Sequence, residues 1–449
     1  MTAATPSPAE LAERRLRLAA LVPEGALAVV RGAPSPRTSR TFRQTNEFFY
    51  VTGLEVPNAY VLVEAASGRT TIYLPRRDEE LERGEGRQLA AEDVDRVVEA
   101  TGADLVRPVD ALAGDLGRRL FRRQSPVLCT PLAPAEGRRG SRDVLLGGAR
   151  RLVDPFCDAR SDEDAFAAAL RAQFPQLEVR DLSPALDELR SVKGAAELRA
   201  LREAARLCGV AVLEAMRSTA PGVYEYELAA LADFIYVRGG AFGGAYEAIV
   251  ATGTNAWHGH YHAKQSALAA GELVLMDYAP DYRYYTSDIG RIWPVSGRWE
   301  AWQLDLYEFV VRYHRELLAR IAPGASAADV LDGARDTMET IVDETTFSKP
   351  AYERAAREAL AFRGHLSHPV GMAVHDVGEY RDAPFVPGQV FSVDPMVWVP
   401  EERLYVRCED TVAVTTDGLE NLTGFVPLDP DAIVRVMAEP GLLQTYLAA

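Results

Sequence analysis

The chain has 449 residues, 48% apolar and 25% charged, with a formal net charge of -16. That length carries two domains with substantial cores, and the composition is ordinary for a globular protein. The acidic balance argues against nucleic acid as the main partner. Four cysteines, Cys129, Cys157, Cys208 and Cys408, show neither metal-ligand spacing nor a disulfide-rich pattern, so they are expected to be reduced and buried.

Residues 8–22 read as an amphipathic helix stopped by Pro23-Glu24-Gly25. Glu10, Glu13, Arg14, Arg15 and Arg17 interrupt any apolar core of an export signal. No apolar run is long enough to span a membrane, so a cytoplasmic location without membrane contact is expected. Short apolar runs at 26–30, 48–52, 59–63 and 70–74 alternate with turn residues and predict strands. Helical patterns follow at 90–100 and 109–120, a mixture that predicts an α/β domain. Two basic groups, Arg118, Arg119, Arg122 and Arg123 and then Arg138, Arg139 and Arg142, are expected on the solvated faces of a helix and a loop. A strand and turn over 177–187 lead to a long helix from Ala195 to about Met216. Its buried stripe is Leu198, Leu201, Ala205, Cys208 and Val212. Pro221-Gly222 stops it, and a second helix spans Glu225 to Arg238. The glycine-rich segment from Gly239 to Gly244 follows a helix and opens a strand at 247–251. A phosphate cradle needs the reverse order and a lysine, so a flexible loop near a substrate cleft is expected instead.

The chemistry lies further on. Asp277 ends the apolar segment Leu273-Val274-Leu275-Met276, and Asp288 follows Tyr284-Tyr285-Thr286-Ser287. With Pro280 and Asp281 between them, the pattern predicts two strands joined by a tight turn, with both carboxylates on one face. Paired carboxylates among apolar strands repel and lose hydration, so they need a cation unless both lie at strand ends facing water. His368, Asp394 and Glu409 follow, the last on a face shared by alternation with Tyr405 and Arg407. Four carboxylates and one imidazole form a hard donor set suited to Mn²⁺, Fe²⁺, Co²⁺ or Zn²⁺, and suffice for two ions about 3.5–4 Å apart. Six of the seven histidines fall in two groups, His258, His260 and His262, and His365, His368 and His375.

These segments resemble the aminopeptidase P and proline dipeptidase family of pita-bread metallopeptidases. The likeness rests on Ile249-Val250-Ala251-Thr252-Gly253-Thr254-Asn255 with His260-Tyr261, on Asp288-Ile289-Gly290-Arg291 with Pro294, and on Arg407-Cys408-Glu409-Asp410 followed by Gly418-Leu419-Glu420-Asn421. The segment from Arg43 to Gly53 resembles the accessory domain of the same family. The resemblance implies an α/β (α+β) chain with an N-terminal accessory domain at 1–186 and a pita-bread catalytic domain at 187–449. It implies metal ligands Asp277, Asp288, His368, Asp394 and Glu409 for two divalent ions, Mn²⁺ first, with Co²⁺ or Zn²⁺ as alternatives. His260 and His375 would face substrate, Asp394 or Glu409 would carry the proton, and Arg407 would meet a substrate carboxylate or brace Glu409. The implied activity is hydrolysis of Xaa-Pro bonds in proline-containing peptides by a homodimer or tetramer.

Two positions depart from the family pattern. Asp394 stands in place of Glu with Met396 in place of the following Gly, and Gly364 stands in place of a histidine, with His365 beside it. They keep two other readings open: a pita-bread lyase or amidinohydrolase acting on a small molecule, and a non-catalytic binding module.

Overall fold

The computed structural model describes residues 6–36, 41–121, 127–151 and 160–446. Arg122, Arg123 and Cys157 lie outside the described residues. Two compact units divide between Arg190 and Ser191, whereas the sequence placed the boundary at 186/187. The helix Ser183–Ser191 spans that point: Leu186 and Leu189 are buried, and Arg190 pairs with Glu136 at 2.6 Å, which anchors the helix in the first unit.

The first unit is built on a six-stranded mixed sheet. Its order is Leu105–Pro108, Thr70–Leu74, Tyr60–Glu64, Leu27–Arg31, Val127–Thr130 and Glu178–Asp181. One expected strand is a helix. Residues Asn46–Thr52 are helical because Thr45 caps the start, its hydroxyl accepting from the Phe48 amide, and Gly53 closes the end in the left-handed region. Two caps outweigh the strand preference of three aromatics and a valine. The pattern at 90–100 is helical only from Val94 to Thr101. Arg142 is not solvated as expected: it is half-buried and paired with Asp187, with Glu47 3.6 Å away.

The second unit holds an antiparallel sheet ordered Val390–Val393, Glu409–Thr415, Ile289–Pro294, Leu273–Asp277 and Ile249–Thr252. A two-stranded ribbon, Met396–Val399 with Leu404–Arg407, continues from its last strands. The helices Ala195–Ser218 and Glu225–Arg238 bury Cys208, Val212, Leu228 and Tyr236 in the same core as the central strands. Among the described residues, no helix is long and apolar enough to cross a membrane.

The two aspartates sit at adjoining ends of neighbouring strands, Asp277 closing one and Asp288 just before the other, but the connection is not the expected tight turn. Asp277 pairs with Gly290, and the second strand begins at Ile289. The tight turn lies at Tyr282–Tyr285, whose end residues exchange both backbone hydrogen bonds, with Arg283 and Tyr284 at φ 51° and 73°. Two left-handed residues in a row match the hairpin twist but are strained without glycine. The rest of the connection is held by the glycine-rich segment: Phe242 donates to Asp281, Asp281 to Gly243, and Ala245 to Ala279, each within 2.9 Å. Residues 239–241 thus bond back to the preceding helix and residues 242–245 pair with 279–281, so the segment is tied down at both ends rather than free. Gly244 is required there, because a Cβ would overlap the Tyr278 ring.

Candidate active site

All five expected ligand side chains converge in the second unit. The Tyr246 hydroxyl lies 2.8 Å from both Asp277 Oδ1 and Asp288 Oδ1. On the other side, Arg407 donates to Asp277 at 2.7 Å, to Asp394 at 2.8 and 3.0 Å, and to Glu409. His368 Nε2 is 3.3 Å from Asp288 and 3.9 Å from Glu409. Asp288, His368 and Glu409 offer atoms all within 4.8 Å of one another.

Local structure explains the convergence. Asp277 ends one central strand, Asp288 precedes its neighbour, Asp394 follows Val390–Val393, and Glu409 opens the strand between them. Antiparallel pairing brings these ends to one edge of the sheet. Thr411 locks the edge: its hydroxyl accepts from the Asp288 amide at 2.7 Å and donates to the Asp288 carbonyl at 2.8 Å. Cys408, between Arg407 and Glu409, is buried in the hydrophobic core and free, and Cys129 and Cys208 are also free and buried, as expected.

The histidines separate by position. The His368 and His375 rings lie 4.1 Å apart, so the second expected substrate histidine stands beside the first ring. His260 keeps solvent exposure, and partial burial holds its imidazole below the ordinary value while the Asp277 carboxylate opposes the shift. Glu225 holds both ends of the His260 loop: its buried carboxylate accepts from Thr252 at 2.8 Å, Asn255 at 3.0 Å and Ser266 at 2.9 Å. His258 instead meets Arg403 at 3.3 Å. Asn421 and Thr423 both donate to Asp410 inside the fold.

The electrostatics fit a cation. One guanidinium faces four buried carboxylates, which leaves the cluster anionic in a medium that solvates charge poorly. Burial, then the neighbouring Asp277, pushes the Asp288 carboxyl far above its usual range. Burial likewise lifts Glu409, and it lifts Asp394 to about 6 against the opposing pull of Arg407. Glu409 Oε1 is buried and accepts no hydrogen bond among the described residues. Tyr246 adds a further argument. A phenol has one proton to donate, so it cannot satisfy two ionised carboxylates at once. Divalent cations of hard character would relieve the repulsion, use the orphan oxygen and suit this donor set.

Tyr246 was not legible as part of the site. It lies 31 residues before Asp277, behind a glycine-rich segment, with no spacing rule to mark it. Its proximity to the acidic strands depends on the pairing of residues 242–245 with 279–281.

Fold and site define a metal-dependent hydrolase. A model of metallopeptidase family M24 matches residues 199–416, and one of the aminopeptidase P N-terminal domain matches residues 11–128. The Xaa-Pro aminopeptidase of Escherichia coli K12 is 28% identical over 450 residues, covering 95% of this chain and 97% of that protein. Xaa-Pro aminopeptidase 3 of Mus musculus is 28% identical over 465 residues, covering 96% of this chain and 86% of that protein. Among solved structures, proline aminopeptidase P II from Yersinia pestis superposes with a TM-score of 0.79 at 28% identity, over 96% of this chain and 100% of that one. Zinc-substituted E. coli aminopeptidase P in complex with product gives a TM-score of 0.76 at 26% identity, over 96% and 98% of the two chains. This chain belongs to the aminopeptidase P family of metallopeptidases.

Proposed function

We propose that this protein hydrolyses Xaa-Pro bonds at the N-terminus of peptides or in dipeptides. In this reading two divalent cations, manganese foremost, are held by Asp277, Asp288, His368, Asp394 and Glu409. The observation that carries it is the meeting of these five side chains around Arg407 and Tyr246, in a chain whose relatives are Xaa-Pro aminopeptidases along nearly their whole length. A small-molecule lyase or amidinohydrolase and a non-catalytic module are not favoured, because the relatives matched over nearly the whole chain are Xaa-Pro aminopeptidases.

Divalent cations in such a donor set supply Lewis acidity and a nucleophilic water near neutral pH. The chain's own residues do the rest. Glu409 or Asp394 takes the proton released as water adds to the peptide carbonyl and returns it to the leaving nitrogen. His260 and His375 hydrogen-bond the substrate and the developing oxyanion. Arg407 braces Asp277, Asp394 and Glu409 together, so a role toward a substrate carboxylate is the lesser one. A prolyl nitrogen is tertiary and has no N–H, so the site cannot hold the scissile bond through an amide donor there.

Free buried cysteines support a reducing compartment such as the cytoplasm. Assembly as a homodimer is carried over from the family and is measured by light scattering. The deciding experiment is product analysis on Xaa-Pro and Xaa-Pro-Yaa peptides with the Mn²⁺-loaded protein. Release of the N-terminal residue, abolished by a chelator and restored by metal, is expected. Absence of cleavage on every such peptide would refute the reading.

A further inference from the structure

Beside the cluster lies a crevice of about 270 Å³ that the hydrolysis of a proline bond does not by itself call for. Its inner walls are hydrocarbon: Leu317, Leu331, Ala355 and Ala359 from three helices. Phe362 and Trp398 stand at its rim, 47% and 36% exposed, and Asp394 forms part of its floor.

The pairing register joins this crevice to the reacting centre. Met396 is the cross-strand partner of Arg407, and Trp398 of Tyr405. Directly opposed residues share a face of a ribbon, so Met396 lies on the side from which Arg407 reaches the carboxylates. The Trp398 ring stacks on Tyr405 with centroids 4.0 Å apart, consistent with that placement.

Both departures from the family pattern shape the same crevice. Met396, in place of glycine, adds a flexible apolar wall. Gly364, in place of histidine, leaves space that Phe362 uses: a Cβ there would come within 2.5 Å of the Phe362 ring. The Phe362 ring meets His365 edge-on at 5.1 Å, and both line the crevice. Apart from His365, Asp394 and Glu358, the lining is thus hydrocarbon, aromatic ring and thioether.

We infer that this crevice is a subsite for a bulky apolar side chain, leucyl or aryl, of the peptide held at the cluster. This rests on the Xaa-Pro reading above. An apolar cavity of roughly 150 Å³ already accommodates benzene, so size does not limit a phenyl group. Each added methylene in such a pocket is worth roughly tenfold or more in discrimination.

The test uses two peptide series with the Mn²⁺-loaded full-length enzyme, Xaa-Pro-Ala and Ala-Pro-Xaa, where Xaa is Ala, Leu or Phe. In one series kcat/KM for Leu or Phe is expected to exceed that for Ala by roughly tenfold or more, and which series responds assigns the residue. Ala359→Trp, which fills the half-buried wall, is expected to bring that ratio toward one. Each ratio is read within one preparation, so loss of folded protein cancels. Should Ala359→Trp yield no soluble enzyme, Phe362→Ala at the exposed rim replaces it and is expected to lower the Phe preference. A preference under about twofold in both series, or a ratio unmoved by the variant, would overturn the subsite while leaving Xaa-Pro hydrolysis intact. Cleavage of no peptide would overturn both.

Discussion

Arg407→Met isolates the feature on which the site's integrity depends. The side chain is 8% exposed and touches three carboxylates, Asp277, Asp394 and Glu409. Methionine keeps much of the aliphatic volume and removes the charge. Deleting one partner of a buried ion pair costs about 3–5 kcal/mol, because the remaining charge is left uncompensated. The stranded carboxylates can escape by binding protons, at about 1.4 kcal/mol per pH unit. Their folded-state pKa values then stand above the unfolded ones, so the deficit grows as pH rises above the unfolded carboxylate range and shrinks as pH falls. Urea unfolding of chelator-treated protein at about pH 8 is expected to show the full deficit, and at about pH 5 a smaller one. Saturating Mn²⁺ is expected to stabilise the variant more than the parent, since cations then do the work of the lost guanidinium. A deficit below about 1 kcal/mol at the higher pH, or one independent of pH, would refute the claim that Arg407 holds the carboxylates together.

Two further outcomes are expected. Tyr246→Phe removes the hydroxyl shared by Asp277 and Asp288; metal affinity by titration and kcat/KM are expected to fall roughly 10- to 100-fold with the unfolding midpoint little changed, as for other groups that orient metal ligands. An unchanged metal affinity would show that the phenol does not orient the pair. His314 is fully buried, 3.5 Å from Asp410, and burial depresses its pKa to about 4. The folded state therefore resists protonation that the unfolded chain accepts, so stability is lost as pH falls from about 6.5 toward 4, by about 2 kcal/mol between pH 7 and 5. Chelator-treated His314→Gln is expected to lose correspondingly less over that interval in denaturant titrations, and an identical loss in both proteins would exclude His314 as the source.

Much of the architecture was legible because it rests on local signals. The helix Glu225–Arg238 and the strand Thr70–Leu74 occupy the expected positions, each bounded by breakers: Pro221-Gly222 and Gly239-Gly240 around the helix, Gly68 and Pro75 around the strand. Segments decided by caps or partners were not legible. Asn46–Thr52 is helical through Thr45 and Gly53, and the true turn at Tyr282–Tyr285 uses two residues that turn chemistry would not nominate.

The sequence by itself determined the chemical type of the site. The residue types at Asp277, Asp288, His368, Asp394 and Glu409, the positions the family resemblance picks out, make a hard donor set whatever the packing around them. Only the tertiary structure decided what surrounds those donors. Tyr246 shared between two aspartates, Arg407 amid three carboxylates and Glu225 at both ends of the His260 loop are contacts between distant segments. The physical reason is that a ligand type belongs to one residue, whereas a field, an orientation and a pocket belong to residues that meet only when the sheet closes.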